Sequence, residues 1–272
     1  MERVKRNERI GVIMQTLSRK PSQVVPLSYF CELFGVAKSS VSEDIDLAQA
    51  TFERYGLGEI STVAGAAGGV FYRPRPKKEA VEDYLSGLCR RINEPSRILP
   101  GGLLYMMDFL FNPVDTQTMG EIIAAGYAHV EPGAVVTMET KGIPVAMMTA
   151  RFLNVPLIIC RRDNKITEGA VLTINYVSGS NDRTIRTMSL AKRLVSGVDK
   201  ALIVDDFMRG GGTAKGMHEL MAECGIEVVG TAVIIETEEP AQKLVNGCRA
   251  LLKLKSVDEE HSAVHIIPAW NI

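Results

Sequence analysis

The sequence predicts an α/β protein in two parts: an N-terminal winged helix-turn-helix over residues 1–75, then a mainly parallel sheet covered by helices over 76–272. Three observations predict it. A basic amphipathic helix, two further helices separated by a glycine turn, and then two short strands fill the first 75 residues. From Ala134 onward, apolar runs of strand length alternate with segments of helical period, the pattern of a parallel sheet with both faces covered. Between the two parts lies Arg73-Pro74-Arg75-Pro76-Lys77-Lys78, a basic stretch punctuated by prolines that reads as a domain boundary.

In the first part, Ile10, Ile13, Met14 and Leu17 recur at helical spacing, with Arg3, Lys5, Arg6, Arg9, Arg19 and Lys20 decorating the segment, and Pro21 ends it. Leu27, Phe30, Cys31 and Phe34 share one face of a second helix that Gly35 stops. A third helix begins near Ser39 and carries Val41, Ile45, Leu47, Ala48 and Phe52. A helix, a tight glycine turn and a second amphipathic helix make a helix-turn-helix. Leu57–Val63 and Val70–Tyr72 read as strands joined by a small-residue turn, Ala64–Gly69, which is a wing. Small hydroxyls and a lysine at a helix start suit phosphates and base edges in a major groove. The candidate DNA contacts are therefore Arg3, Lys5, Arg6 and Arg9 on the first helix, Lys38, Ser39, Ser40 and Ser42 at the third, and Gly65, Ala66 and Ala67 in the wing. The plainer alternative is a helical protein-interaction domain in which Ser39 is only an N-cap.

In the second part, helices are expected over Glu79–Ile92, Thr118–Ala128, Ile143–Leu153 and Thr213–Glu223. Strands are expected over Leu103–Met107, Val135–Met138, Pro156–Cys160, Ala201–Val204 and Val228–Ile235. Val171–Val177 and Thr184–Met188 break the alternation and look like two strands joined by a polar loop. The most informative stretch is Ala201–Gly216: an apolar strand, Asp205 and Asp206, three consecutive glycines, Thr213, and a helix. Turn N–H groups and a helix N-terminus seat a phosphate, and glycine lets a ligand approach the backbone closely. Carboxylates beside a phosphate need hydroxyls or a divalent cation to bind. Together these specify a ribose 5-phosphate with its diol on the aspartates, against the alternative of an ordinary turn with solvated acids.

VDDFMRGGGT resembles the phosphoribosyl diphosphate (PRPP) motif of type I phosphoribosyltransferases, and Glu139-Thr140-Lys141-Gly142-Ile143 resembles that family's pyrophosphate loop. Ile98–Asp115, Arg161–Asn164 and Ser189–Arg193 are similar to xanthine phosphoribosyltransferases. Nearly end to end, the chain is similar to the purine operon repressor family of Gram-positive bacteria. The resemblance implies a type I phosphoribosyltransferase-like second domain that binds PRPP, with Mg²⁺ as its companion and guanosine polyphosphate as a candidate competitor. It implies effector contacts from Thr140, Lys141 and Gly142 and from Asp205, Asp206, Phe207, Met208, Arg209, Gly210, Gly211, Gly212 and Thr213. Tyr105, Arg161, Lys165 and Tyr176 are further candidates, and the loop between the two irregular strands matches the one that closes over pyrophosphate in the transferases, or else is a surface hairpin.

Two functions from different classes follow. One is a purine phosphoribosyltransferase of xanthine type with an appended regulatory domain. The other is a transcription regulator of purine synthesis and salvage genes that keeps the site as a sensor. Hypoxanthine-guanine transferases resembling this motif carry an aspartate where Arg209 stands, and a guanidinium cannot serve as a base at neutral pH. Adenine and xanthine transferases lack that aspartate too, so the 75 extra N-terminal residues decide for the sensor, with no catalytic residue assigned. Phe207 either stacks on a purine or fills the sheet–helix core.

Composition agrees. With 272 residues, 46% apolar, 23% charged and net charge −1, the chain is an ordinary folded protein whose nucleic-acid site must be local. No run reaches the length of a membrane span and no signal-peptide pattern opens the sequence, which leads to an expected cytoplasmic location. The five cysteines lack CxxC spacing and do not cluster with the histidines, so no zinc site or intrinsic metal is expected. The DNA reading implies a homodimer, because one small domain buries too little for tight site selection.

Overall fold

The computed structural model describes residues 4–65, 68–162, 169–178 and 184–271. Contacts divide the chain into two compact units, one built on Met1–Lys77 and the other on Lys78–Ala150 with Val155–Ile272.

The first unit has three helices, α1 (Arg6–Arg19), α2 (Leu27–Phe34) and α3 (Lys38–Tyr55), and an antiparallel hairpin of β1 (Glu59–Val63) and β2 (Gly69–Arg73). The helices turn Ile13 and Leu17, Phe30 and Phe34, and Val41, Ile45, Ala48 and Phe52 onto one core, which Ile60, Val70 and Tyr72 of the hairpin close. Gly35 ends α2 at φ 63°, a left-handed conformation that glycine adopts without a Cβ clash. The hairpin is tied back by paired hydrogen bonds between Val25 and Val70, 2.8 and 2.9 Å. Ala37, not Ser39, is the N-cap of α3, and no side chain caps that end. Ser39 is thus inside the helix and exposed, which removes the capping explanation for it.

The second unit opens with α4 (Lys78–Ile92) and a two-residue hairpin, β3 (Ile98–Leu99) with β4 (Leu103–Leu104). The strand expected over Leu103–Met107 stops at Leu104, because Met107–Leu110 forms a turn of helix, α5, that buries Phe109 and Leu110. Helix α6 (Pro113–Tyr127) starts well before the expected Thr118. Asn112 accepts from the N–H groups of Val114 and Asp115 at 2.9 and 3.1 Å, and Pro113 occupies the first helical position. Arg91 pairs with Asp115 through two 2.9 Å contacts and fastens α4 to α6.

The rest is a six-stranded sheet. Its strands are β5 (Ala134–Met138), β6 (Leu157–Cys160), β9 (Lys200–Met208), β10 (Glu227–Thr237), β11 (Cys248–Asp258) and β12 (Ala263–Pro268), in the order β12-β11-β10-β9-β5-β6. All neighbours are parallel except β11 and β12. Helix α7 (Ile143–Leu153) connects β5 to β6, and α8 (Gly212–Glu223) connects β9 to β10. A hairpin of β7 (Val171–Ser178) and β8 (Thr184–Ala191) lies over one face. Tyr176, Met188 and Leu190 of the hairpin share a buried cluster with Val136, Ile203, Met217 and Leu220. Residues Ala201–Val204 are wholly buried, as the unbroken apolar run of a central parallel strand requires. Among the described residues no helix is long and apolar enough to cross a membrane.

Candidate functional site

The sheet creates the site by a gap. β5 pairs with β9 only from Ala134–Val136 to Ala201–Ile203, and beyond those residues the two strands part. The order β10-β9-β5-β6 makes this the point where connections leave toward opposite sides, the usual seat of a ligand in an open parallel sheet. Two loops follow the ends of these strands: 139–142 after β5, and 209–211 after β9.

Asp205 and Asp206 lie in β9 itself. Asp205 is 8% exposed and its Oδ1 accepts from the Asp206 N–H at 2.9 Å. Burial, and then the Asp206 charge, hold the Asp205 carboxyl well above the usual carboxylate range. Such a group ionises when a cation or hydroxyl donors meet it. The 139–142 loop reaches it directly, since a Cβ added at Gly142 would fall 2.5 Å from Asp205 Oδ1 and 3.1 Å from its Cα. Only glycine allows that approach. The Glu139–Thr140 peptide is cis. Glu139 Oε1 accepts from the Arg162 N–H at 2.8 Å, and Oε2 is 3.9 Å from Arg161 Nη1. Thr140 and Lys141 are exposed at the loop's tip.

After β9 the chain turns into α8. Gly211 is the N-cap at φ 83°, and no side chain caps this end, so the first-turn N–H groups point out of the helix. That is a seat for an anion. Arg209 is exposed and Phe207 half-buried. A feature that sequence reasoning did not find braces this turn. The Lys243 ammonium donates to the Arg209 carbonyl at 2.6 Å and the Thr237 carbonyl at 2.7 Å, and the Leu244 N–H donates to Gly210 O at 2.9 Å. Desolvation lowers the Lys243 pKa.

Two effector candidates have other work. Met208 is 3% exposed and packs with Ala214, Val233 and Ala250, so its side chain belongs to the core. Tyr176 is 4% exposed, and its ring lies so close to Gly216 that a Cβ there would be 2.8 Å from Cγ. It is a core residue joining the hairpin to α8 and not an effector contact. Tyr105 is 44% exposed, and Arg161 is half-buried beside Glu139. Lys165 lies outside the described residues. The thiols are free, and burial pushes Cys160 up to about 12, so it behaves as a small apolar side chain.

In the first unit, Lys38, Ser39 and Ser42 are exposed at the start of α3, Ser40 is half-buried, and Gly65 stands in the wing at φ 111°. Lys5 is exposed, and its N–H donates to Glu8 at 2.8 Å. Arg3, Ala66 and Ala67 lie outside the described residues. Arg6 and Arg9 do not stand free on the surface. The side chain of Asp44 is wholly buried, and Arg9 reaches it at 2.6 and 3.2 Å with only 11% of its own side chain exposed. Arg6 adds contacts at 3.1 Å to Asp44 and 3.2 Å to Glu43. Their physical role is to neutralise Asp44 and fasten α1 to α3, which takes Arg9 out of the phosphate-contacting set.

The chain matches the family model for the N-terminal domain of the bacterial purine repressor over residues 5–74, and that for the phosphoribosyl transferase domain over 117–266. It is 42% identical over 262 residues to the purine biosynthesis transcriptional repressor PurR of Bacillus subtilis, across 96% of this chain and 92% of that one. It is 34% identical over 188 residues to a xanthine phosphoribosyltransferase of Lactococcus lactis, across 67% of this chain and 95% of the enzyme. The crystal structure of an adenine phosphoribosyltransferase from Thermoanaerobacter pseudethanolicus superposes with a TM-score of 0.53 at 18% identity, covering 62% of this chain and 99% of that one, a likeness of fold.

Proposed function

This chain belongs to the bacterial purine repressor family, and on that premise we propose that it is a DNA-binding regulator of purine-synthesis genes whose second unit senses PRPP without turning it over. The observation that carries the sensing is the close approach of the 139–142 loop to β9 where β5 and β9 part, with Gly142 packed on Asp205. The N–H groups around Gly210 to Thr213 take the 5′-phosphate. Asp205 and Asp206 take the ribose diol or the accompanying Mg²⁺. Lys141 and the Thr140–Gly142 backbone take the pyrophosphate, and Arg209 adds charge-assisted bonds. Phe207, half-buried at the end of β9, is left to stack on a competing purine nucleotide such as a guanosine polyphosphate.

DNA binding rests on the start of α3, with Lys38, Ser39, Ser40 and Ser42, and on the wing. The regulator acts as a homodimer, since a single three-helix unit offers too small an interface for tight selection. The domain boundary falls at 75/76, in the proline-punctuated basic stretch, and the protein works in the cytoplasm. Because binding is linked, operator DNA and PRPP shift each other's affinity by the same factor.

The identity with xanthine phosphoribosyltransferase favours a second reading, an enzyme with an appended regulatory domain. One assay separates the two. The protein is incubated with PRPP, Mg²⁺ and each of hypoxanthine, guanine, xanthine and adenine, while PRPP binding is measured by calorimetry on the wild type and on Asp205→Ala/Asp206→Ala. The sensor reading expects binding by the wild type alone and no nucleotide. Turnover at several per second, inside the usual enzyme range of roughly 1–1000 per second, would establish the enzyme. Tight PRPP binding by the double variant would refute the placement.

A further inference from the structure

Among the described residues, one buried side-chain oxygen has no hydrogen-bond partner, Thr137 Oγ1. The residue is 0% exposed. The other buried threonines are satisfied: Thr116 by Asn112 O at 2.8 Å, Thr149 by Val145 O at 2.9 Å, and Thr231 by His218 at 2.8 Å. Valine would fill a strand position of this shape equally well without burying a hydroxyl, which is costly unless a partner meets it.

Its position supplies the reason. Thr137 is the first residue of β5 beyond the last pair with β9, and its pairing there is with Ile159 on the other side. A Cβ built at Gly142 would meet Thr137 Oγ1 at 2.7 Å and Asp205 Oδ1 at 2.5 Å. Both oxygens therefore border the same small space beside the Gly142 Cα. Across that space the Thr137 hydroxyl is a donor and Asp205 Oδ1 an acceptor.

We infer that Thr137 is a positioning residue for the effector site: when the effector occupies the loop after β9, the Thr137 hydroxyl donates to the Asp205 carboxylate and ties β5 and the 139–142 loop to β9. The inference rests on the PRPP reading above and extends it to the strand that carries the second loop. It makes the two loops act as one, because Asp205 cannot change its partners without engaging β5.

The test uses the full-length protein with Thr137→Val, which keeps the shape and removes the hydroxyl, and Thr137→Ser, which keeps the hydroxyl. Each is measured by thermal unfolding without effector and by calorimetric titration with PRPP and Mg²⁺. The expected result is that Thr137→Val unfolds at the wild-type temperature or above, yet binds PRPP about tenfold more weakly, equivalent to about 1.4 kcal/mol. Thr137→Ser should bind within about twofold of the wild type, a loss of roughly 0.4 kcal/mol at most. Wild-type affinity in Thr137→Val overturns the inference and leaves the PRPP reading standing. Failure of Thr137→Ser to restore affinity, or a sharp fall in the unfolding temperature of Thr137→Val, assigns the residue a packing role and also overturns it. Absence of PRPP binding by the wild type overturns the PRPP reading, and the inference with it.

Discussion

Replacing Arg9 by alanine should destabilise the first unit and leave its DNA surface chemically intact. Arg9 makes two of the contacts that neutralise Asp44, at 2.6 and 3.2 Å, and the side chain of Asp44 is wholly buried. Removing one partner of a buried ion pair leaves an uncompensated charge and costs about 3–5 kcal/mol. Arg6 Nε stays 3.1 Å from Asp44 on a half-exposed side chain, which places the loss near the lower end, about 3 kcal/mol. For a unit of this size, each kcal/mol lowers Tm by roughly 4–8 °C, so the transition of the first unit should fall by about 12–24 °C. Lys38→Ala is the control. Lys38 is exposed at the start of α3 and its replacement should change stability by less than about 0.5 kcal/mol, yet weaken DNA binding and reduce its salt dependence by about one phosphate contact. The assay is calorimetric unfolding of both variants, with fluorescence anisotropy on a labelled operator duplex over a salt series at a temperature where both are folded. An Arg9→Ala protein with an unshifted transition and a flattened salt slope would refute the reasoning, and would return Arg9 to the DNA contacts.

Three further outcomes follow from the second unit. Burial raises the folded-state pKa of Asp205 above its unfolded value, so its contribution to stability is present below about pH 4 and is lost as pH rises through the folded pKa. Asp205→Asn does not titrate, so without effector its unfolding temperature should exceed the wild type's by a margin that widens from pH 4 toward neutrality. A constant margin across that range contradicts the assignment. Lys243→Met removes donors to the carbonyls of Arg209 and Thr237 and should weaken PRPP by roughly 1–3 kcal/mol, with effector-free DNA affinity unchanged; equal calorimetric affinities would exclude the brace. Gly142→Ala forces a Cβ to within 3.1 Å of the Asp205 Cα and should cost about 1–3 kcal/mol of stability along with PRPP binding, read by the same two methods.

What was legible in the sequence was local. The triple glycine after an apolar strand and the glycine stop at Gly35 each depend on a few adjacent residues, and the structure forms both turns there. What was not legible depends on partners far along the chain. Arg9 meets Asp44 across 35 positions, so a basic helix looked like a phosphate-binding face when part of its charge is spent internally. Lys243 reaches the Arg209 carbonyl across 34 positions, from a segment with no motif of its own. Nothing in the sequence signals that Tyr176 packs against Gly216, a residue 40 positions away with no side chain. Strands β11 and β12 escaped because no helix lies between β10 and β11 and β12 then returns antiparallel, so the strand–helix alternation that revealed the others ends at β10. Asn112-Pro113 is the exception: a cap and a first-turn proline are adjacent, and they signal the start of α6 directly.

The most direct test of the account is equilibrium binding of the full-length protein to duplex DNA from upstream of purine-synthesis genes, with and without PRPP and Mg²⁺, at fixed salt. The account predicts specific binding whose affinity PRPP changes by about 5–150-fold, the usual span of allosteric coupling, and an Asp205→Ala/Asp206→Ala protein that binds the same DNA with no response to PRPP. Absence of specific DNA binding, or a PRPP response that survives in the double variant, would contradict it.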